Sequence, residues 1–238
     1  MRRTLAGGGS MWRMILGSAL LAGSVSFAAL ANAPEQSDRP SLRPDGLKAP
    51  AATEAPAATA IAASARGSVC GVPEIKGEAI APIRGRGACG IAQPVRLSSV
   101  SGVGLSMKPT IDCPTARALN TWVSKGLKPA VGETGGGVKA LHIVGSYACR
   151  NRNNARSGRL SEHAKGRAID IRTIALKNGR QITVLEGWRK KEEGRILRRA
   201  HAAACGPFGT VLGPNANRFH RDHFHFDTAR YRSGSYCR

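Results

Sequence analysis

Two short stretches, far apart in the chain, carry residues able to share one reaction centre. The first is Ser161-Glu162-His163-Ala164-Lys165-Gly166-Arg167-Ala168-Ile169-Asp170, and the second is Asp222-His223-Phe224-His225. Together they offer well-spaced imidazoles and carboxylates. Such a mixed nitrogen and oxygen set suits zinc, and a catalytic zinc site uses three protein ligands and keeps one position open. Two imidazoles and one carboxylate could hold the ion, with one of His223 and His225 binding it and the other beside it facing substrate, which leaves Asp222 to work on a water. Each residue also has an ordinary reading. A lone histidine is usually a surface or hydrogen-bonded core residue, and His142, His201 and His220 are read that way. A buried Asp170 needs a partner, and Arg167 or Arg172 would serve. The case for a metal rests on the two stretches occurring together.

The elements that must position these side chains follow from local pattern. Ala168 to Ile174 alternates as a strand, with Ile169 and Ile171 on one face and Asp170 on the other. Asn178-Gly179 signals a hairpin, with Gln181 to Leu185 as the return strand. His223 to Phe226 is a short strand that places both imidazoles on one face and Phe224 on the opposite one. Asp222 would then fall on the wrong face unless the chain turns or bulges at Arg221–Asp222. His163 sits in the loop before Asp170, where Gly166, Ala164 and Ala168 allow close packing, Ser161 fixes the loop and Glu162 is exposed. Upstream, Pro94 to Leu105 reads as extended chain. Pro114 opens a helix with Leu119, Trp122 and Val123 facing the core. Val138 to Val144 is a strand. Glu192 to Ala204 is a helix with Ile196, Leu197, Ala200 and Ala204 on one face, and Thr210 to Leu212 is a short strand. These elements predict an α+β domain: helices packed on a mostly antiparallel sheet, with the zinc site on the sheet.

The chain of 238 residues carries a formal charge of +21. Residues 1–66 hold seven basic and four acidic side chains, and residues 67–238 hold 29 and 11, so the excess belongs to the folded part. Such a field favours anionic partners. Arg2, Arg3 and Arg13 precede an apolar run from Met14 to Leu30, followed by the small-residue cleavage pattern Ala29-Leu30-Ala31. This predicts a secretory signal peptide over 1–31, or an inner-membrane anchor if it is not cleaved. Residues 32–67, rich in Ala and Pro, predict a linker. All six cysteines lie beyond it, with no Cys-x-x-Cys pair. In an exported chain they predict disulfides, with 15 pairings open. Cys70 to Cys89 is expected to bound a short lead-in, and Cys237 to tie down the C-terminus.

Ser161-x-His163-x-x-Gly166-x-Ala168-x-Asp170 followed by Asp222-His223-x-His225 resembles the zinc D-alanyl-D-alanine peptidases of the lysostaphin and hedgehog group. Gly145-Ser146-Tyr147-Ala148-Cys149-Arg150, Ser161-Glu162-His163-Ala164, Thr210-Val211-Leu212-Gly213-Pro214 and the cysteine-bearing ends resemble more closely the bacterial extensin-like C-terminal domain family, over about residues 68–238. The resemblance implies that His163, Asp170 and His225 bind Zn2+. It also implies that Asp222 is the catalytic carboxylate, that His223 lines the site and stabilises the oxyanion, and that Arg150 or Arg152 binds substrate.

The function expected from this is an exported, periplasmic or secreted zinc metallopeptidase. Its partners would be the peptide stems or cross-links of peptidoglycan, met without specific nucleic acid and with the membrane only through the export signal. The rival reading is a non-catalytic cell-wall or polysaccharide-binding domain with a structural zinc. A nucleic-acid binder, suggested by charge, is disfavoured by the export signal, the cysteines and the few aromatics.

Overall fold

The computed structural model describes residues 67–238, so the signal peptide and the linker expected before Gly67 lie outside the described residues. In chain order the strands are β1 (Gly67–Val69), β2 (Val72–Ala79), β3 (Ile83–Arg84), β4 (Gly90–Ile91), β5 (Pro94–Val100), β6 (Val103–Leu105) and β7 (Thr110–Asp112). They continue with β8 (Val138–Gly145), β9 (Ala168–Leu176), β10 (Gln181–Thr183), β11 (Thr210–Leu212), β12 (Phe224–Asp227) and β13 (Tyr236–Cys237). The helices are α1 (Cys113–Trp122), α2 (Lys128–Val131), α3 (Val184–Gly187) and α4 (Lys191–Ala202), with a π turn at Val123–Leu127 joining the first two. None of the described helices is long and apolar enough to cross a membrane.

The main sheet runs β1-β2-β5-β6-β8-β9-β12-β11-β13, with β7 on β5 and β10 on β9. The sheet is mostly antiparallel, as expected, but two parallel pairs make it mixed. β6 lies parallel to β8, and β11 parallel to β13. α1 and α2 lie between β6 and β8, and β12 lies between β11 and β13, so each connection is long enough to bring the strand back in the same direction. The α+β class holds, with helices and strands in separate stretches.

β9 is the axis of the site. β8 pairs along one of its edges, while the other edge is shared by β12 over Ala168–Ile171 and β10 over Thr173–Ala175. The strict alternation of a strand sends Ile169 and Ile171 to one face, where both are fully buried, and Asp170 to the other. β12 repeats the pattern, with Phe224 and Phe226 joining the core face and His225 and Asp227 the opposite one. The helices cover the core face. Trp122 packs edge-on against Phe226, ring centroids 5.1 Å apart, and its indole N–H donates to the Ala200 carbonyl at 2.8 Å. Burying each of these large apolar side chains contributes about 1.5–3 kcal/mol, and that energy sets the register of β12 on β9. A slip of one residue would send Phe224 and Phe226 out of the core.

Several local expectations are corrected. The return strand ends at Thr183, whose hydroxyl accepts a hydrogen bond from the Glu186 N–H and starts α3, so Val184 and Leu185 are helical. Ser101 and Gly102 break the extended stretch Pro94 to Leu105 into β5 and β6. Pro114 stands in the first turn of α1, capped by Asp112, whose carboxylate accepts from the Thr115 N–H at 2.9 Å. The disulfides are Cys70–Cys113, Cys89–Cys149 and Cys205–Cys237. No bridge closes the segment between Cys70 and Cys89; each end is tied to the site-bearing half instead. Cys237 does tie down the C-terminus.

Candidate metal centre

His163 lies in a single 3-10 turn, Glu162–Lys165, on the sheet face opposite the helices. Ser161 caps the turn, its hydroxyl accepting from the His163 N–H at 3.4 Å. Gly166 closes it with φ +67, and a side chain there would run into Ile91. The backbone of this turn is thus pinned at both ends, which holds the imidazole still.

The His163 and His225 rings are each fixed by the nitrogen that faces away from the centre. His163 Nδ1–H donates to the Ser146 carbonyl at 2.7 Å, so Nε2 presents its lone pair. His225 Nε2–H donates to the Asp227 carboxylate at 3.0 Å, so Nδ1 is the nitrogen that faces the centre and binds a metal on giving up its proton. Those two nitrogens and the Asp170 carboxylate converge. His163 Nε2 is 3.1 Å from Asp170 Oδ1 and 3.1 Å from His225 Nδ1, and His225 Nδ1 is 2.9 Å from Asp170 Oδ1. The sheet sets this directly, since His225 stands opposite Asp170 in the β12–β9 register. Gly145 stands opposite Asp170 on the other edge, and a Cβ there would overlap the carboxylate, so the position admits only glycine without displacing Asp170.

All three donors are buried, with His163 1% and Asp170 6% exposed. Burial drives the Asp170 carboxyl up, but the hydrogen bonds from His163 and His225 outweigh it and hold the group well below the usual carboxylate range. Burial pulls His225 down, while Asp170 and Asp227 at its two nitrogens lift it to about 9. A dication entering here takes the place of that proton. Convergent lone pairs of two imidazoles and one carboxylate, with the outer nitrogens held by a carbonyl and a carboxylate, are the donor set and supporting shell that suit zinc. His163, Asp170 and His225 therefore fit the ion.

Of the remaining sequence candidates, His223 lies just before β12 rather than in it, and its Nε2 stands 3.9 Å from Asp170. Its Nδ1–H donates to Asp222 at 2.8 Å. Asp222 also receives Arg172 at 2.7 Å. Burial raises the Asp222 carboxyl, but His223 and Arg172 together lower it below its ordinary value. The turn that follows Arg218–His220 swings Asp222 out of the strand path, meeting the condition set by its position in sequence. Arg150 and Arg152 both line a cavity of about 410 Å3 that opens onto His163, Asp170, His223 and His225. Arg167 pairs with Asp112 and Arg172 with Asp222, so neither arginine is the partner of Asp170. Glu162, expected to be exposed, has a side chain only 11% exposed.

Two residues of the site were not found in the sequence. Asp227 is one, although the alternation His223, His225, Asp227 pointed to it. His220 is the other. It lines the cavity, with Nδ1–H donating to Asn217 Oδ1 at 2.8 Å, and its ring lies 5.3 Å from that of His223 and 5.7 Å from that of His225. Burial and then the neighbouring imidazoles push His220 down to about 4. No local pattern marks it, because the turn that aims it exists only in the folded chain. His142 is exposed. His201 stacks in the core against Trp188 and Phe224.

Residues 70–238 match the model of the family described as extensin-like protein C-terminus, and the chain belongs to that family. No curated protein and no solved structure matches it.

Proposed function

We propose that this member of the extensin-like C-terminal family is an exported zinc-dependent peptidase that hydrolyses amide bonds in peptidoglycan peptides. The observation that carries the reading is the convergence of three buried donor groups under an open cavity, with both imidazoles anchored through the nitrogen that faces away from it. The motifs are similar to those of the zinc D-alanyl-D-alanine peptidases, and the disulfides suit an oxidising compartment such as the periplasm or the exterior.

His163, Asp170 and His225 would hold the ion. Bound zinc supplies a Lewis acid that makes water a competent nucleophile near neutral pH. The chain's own residues do the rest. Arg150 and Arg152, on the cavity wall, bind a substrate carboxylate or carbonyl through charge-assisted hydrogen bonds and so place the scissile carbonyl. Asp222 holds His223 with Nε2 facing the cavity, and His223 Nε2 takes the proton of the attacking water. The water oxygen bonds to the carbonyl carbon, the carbon–nitrogen bond breaks, and the proton passes from Nε2 to the departing amine. Asp222 thus acts through His223, stabilising the imidazolium as it forms. The sequence motif places the proton transfer on Asp222 itself. In this geometry the carboxylate is occupied by Arg172 and His223, and His223 is the group that reaches the cavity.

The test is metal analysis of the oxidised domain followed by mass spectrometry of peptidoglycan digests. The expected result is one zinc per chain and new amine ends. Zinc without any cleavage would shift the reading to a non-catalytic wall-binding domain, and absence of bound metal in zinc-supplemented protein would remove the ligand assignment.

A further inference from the structure

We infer that the site takes a peptide continuing on both sides of the bond to be cut, as in two stem peptides joined by an amide cross-link, rather than a free peptide end. This deepens the peptidase reading and rests on it.

The 410 Å3 cavity over the metal ligands does not stand alone. Beside it lies a second depression of about 820 Å3, and Glu162 and Tyr231 line both. The end of β12 crosses from one to the other. His225 and Asp227 line the first, and Thr228 and Ala229, the next residues along, line the second. Tyr231 marks the shared rim, its hydroxyl 3.0 Å from that of Thr210 and the residue 43% exposed. Glu162 marks it from the other side, near the Lys165 ammonium at 3.8 Å. The two depressions share this rim and together make one trough, whose smaller part holds the metal ligands.

A site specific for a peptide terminus needs a wall close to the scissile bond, so that a longer chain cannot enter. Here the space beyond Glu162 and Tyr231 is larger than the cavity holding the ligands, so the trough has room for several residues on that side. Arginines stand at both ends, with Asp112 and Glu162 beside them in the second depression. Arg150 and Arg152 lie on the metal side, and Arg167 and Arg230 in the second depression. A guanidinium recognises a carboxylate by paired hydrogen bonds, so a peptide carrying carboxylates on both arms meets a partner for each. Binding energy gathered on the far arm can raise the rate at the reacting bond.

The experiment uses the zinc-loaded, oxidised protein and two defined substrates: a linear stem peptide, and two such peptides joined by an amide cross-link. The cross-linked dimer should be cut with kcat/KM at least about ten-fold higher, since truncating a substrate removes that remote binding energy. Pro207→Trp, which fills the second depression, and Arg230→Glu, which reverses the charge at that position, should each remove most of that advantage. Both should leave cleavage of the linear peptide and zinc content unchanged. Equal cleavage of both substrates by the wild type, or a dimer preference that survives both substitutions, overturns the inference while leaving the peptidase reading in place. Failure to cut either substrate sinks both.

Discussion

Asp227 offers the sharpest test of how the centre is built, because it touches no ligand atom and acts only through His225. Its Oδ2 accepts from His225 Nε2 at 3.0 Å, and its Oδ1 accepts from the Ala229 N–H at 2.9 Å. In Asp227→Asn the backbone N–H still requires the amide oxygen, so the amide NH2 is left facing Nε2. An NH2 group donates and cannot accept. His225 must then carry its proton on Nδ1, the nitrogen that should bind the metal. Removing the supporting partner of a ligating histidine typically costs about 10–100-fold in metal affinity, equivalent to about 1.4–2.7 kcal/mol. The reversed tautomer puts Asn at the top of that range and Asp227→Ala, which merely frees the ring, at the bottom. Zinc affinity is measured by competition with a chromophoric chelator, with circular dichroism to show that the fold is kept. An Asn variant that binds zinc within about two-fold of wild type would falsify the role given to Asp227, since the loss expected from the supporting shell is at least ten-fold.

Asp222→Ala should keep its zinc and lose hydrolysis by about 10²–10⁴-fold, and His223→Ala should lose a similar amount, because the two act as one proton-transfer unit. Rates on wall peptide and metal content check this, and an Asp222→Ala variant with full activity would place the base elsewhere, with Glu162 next to examine. Loss of Cys89–Cys149, which closes 60 residues and anchors the chain beside Arg150, should cost about 4 kcal/mol by loop-closure entropy. Denaturant unfolding of the paired Cys89→Ser and Cys149→Ser variant reads this, and KM should rise more than kcat falls as Arg150 loosens. His201 is held below the usual histidine value by burial, only partly offset by the backbone of Arg238, and its Nε2 has no hydrogen-bond partner. A depressed histidine contributes stability that is fully present above its unfolded value of about 6.5 and lost as the pH falls through its folded value. His201→Leu should therefore flatten the acid side of the stability profile relative to wild type. Parallel profiles for the two proteins in thermal melts would exclude that group.

The sequence by itself determined the strand of β9 and the face on which Asp170 lies, because a period of two leaves no choice once Ile169 and Ile171 are buried. It determined the hairpin at Asn178-Gly179 and the helix that Pro114 opens, while the family resemblance pointed to His163, Asp170 and His225, which the fold brings together. It did not contain the pairing of β12 with β9. That register comes from Phe226 meeting Trp122, about a hundred positions away, and Phe224 meeting Trp188 and His201. Only the tertiary structure made the sheet mixed, since the direction in which a strand returns depends on how the intervening elements pack. It likewise chose one disulfide pattern from the 15 open to six cysteines, because a bridge needs two Cα atoms brought within reach by the fold. The tautomers of the centre belong to the same class. Ser146 holds His163 through a backbone carbonyl, which every residue type possesses, so no side-chain pattern could have marked it. Asp222 was legible as a residue, but its employment by Arg172 and His223 was not, because that depends on a turn whose path is set by the packing of the chain around it.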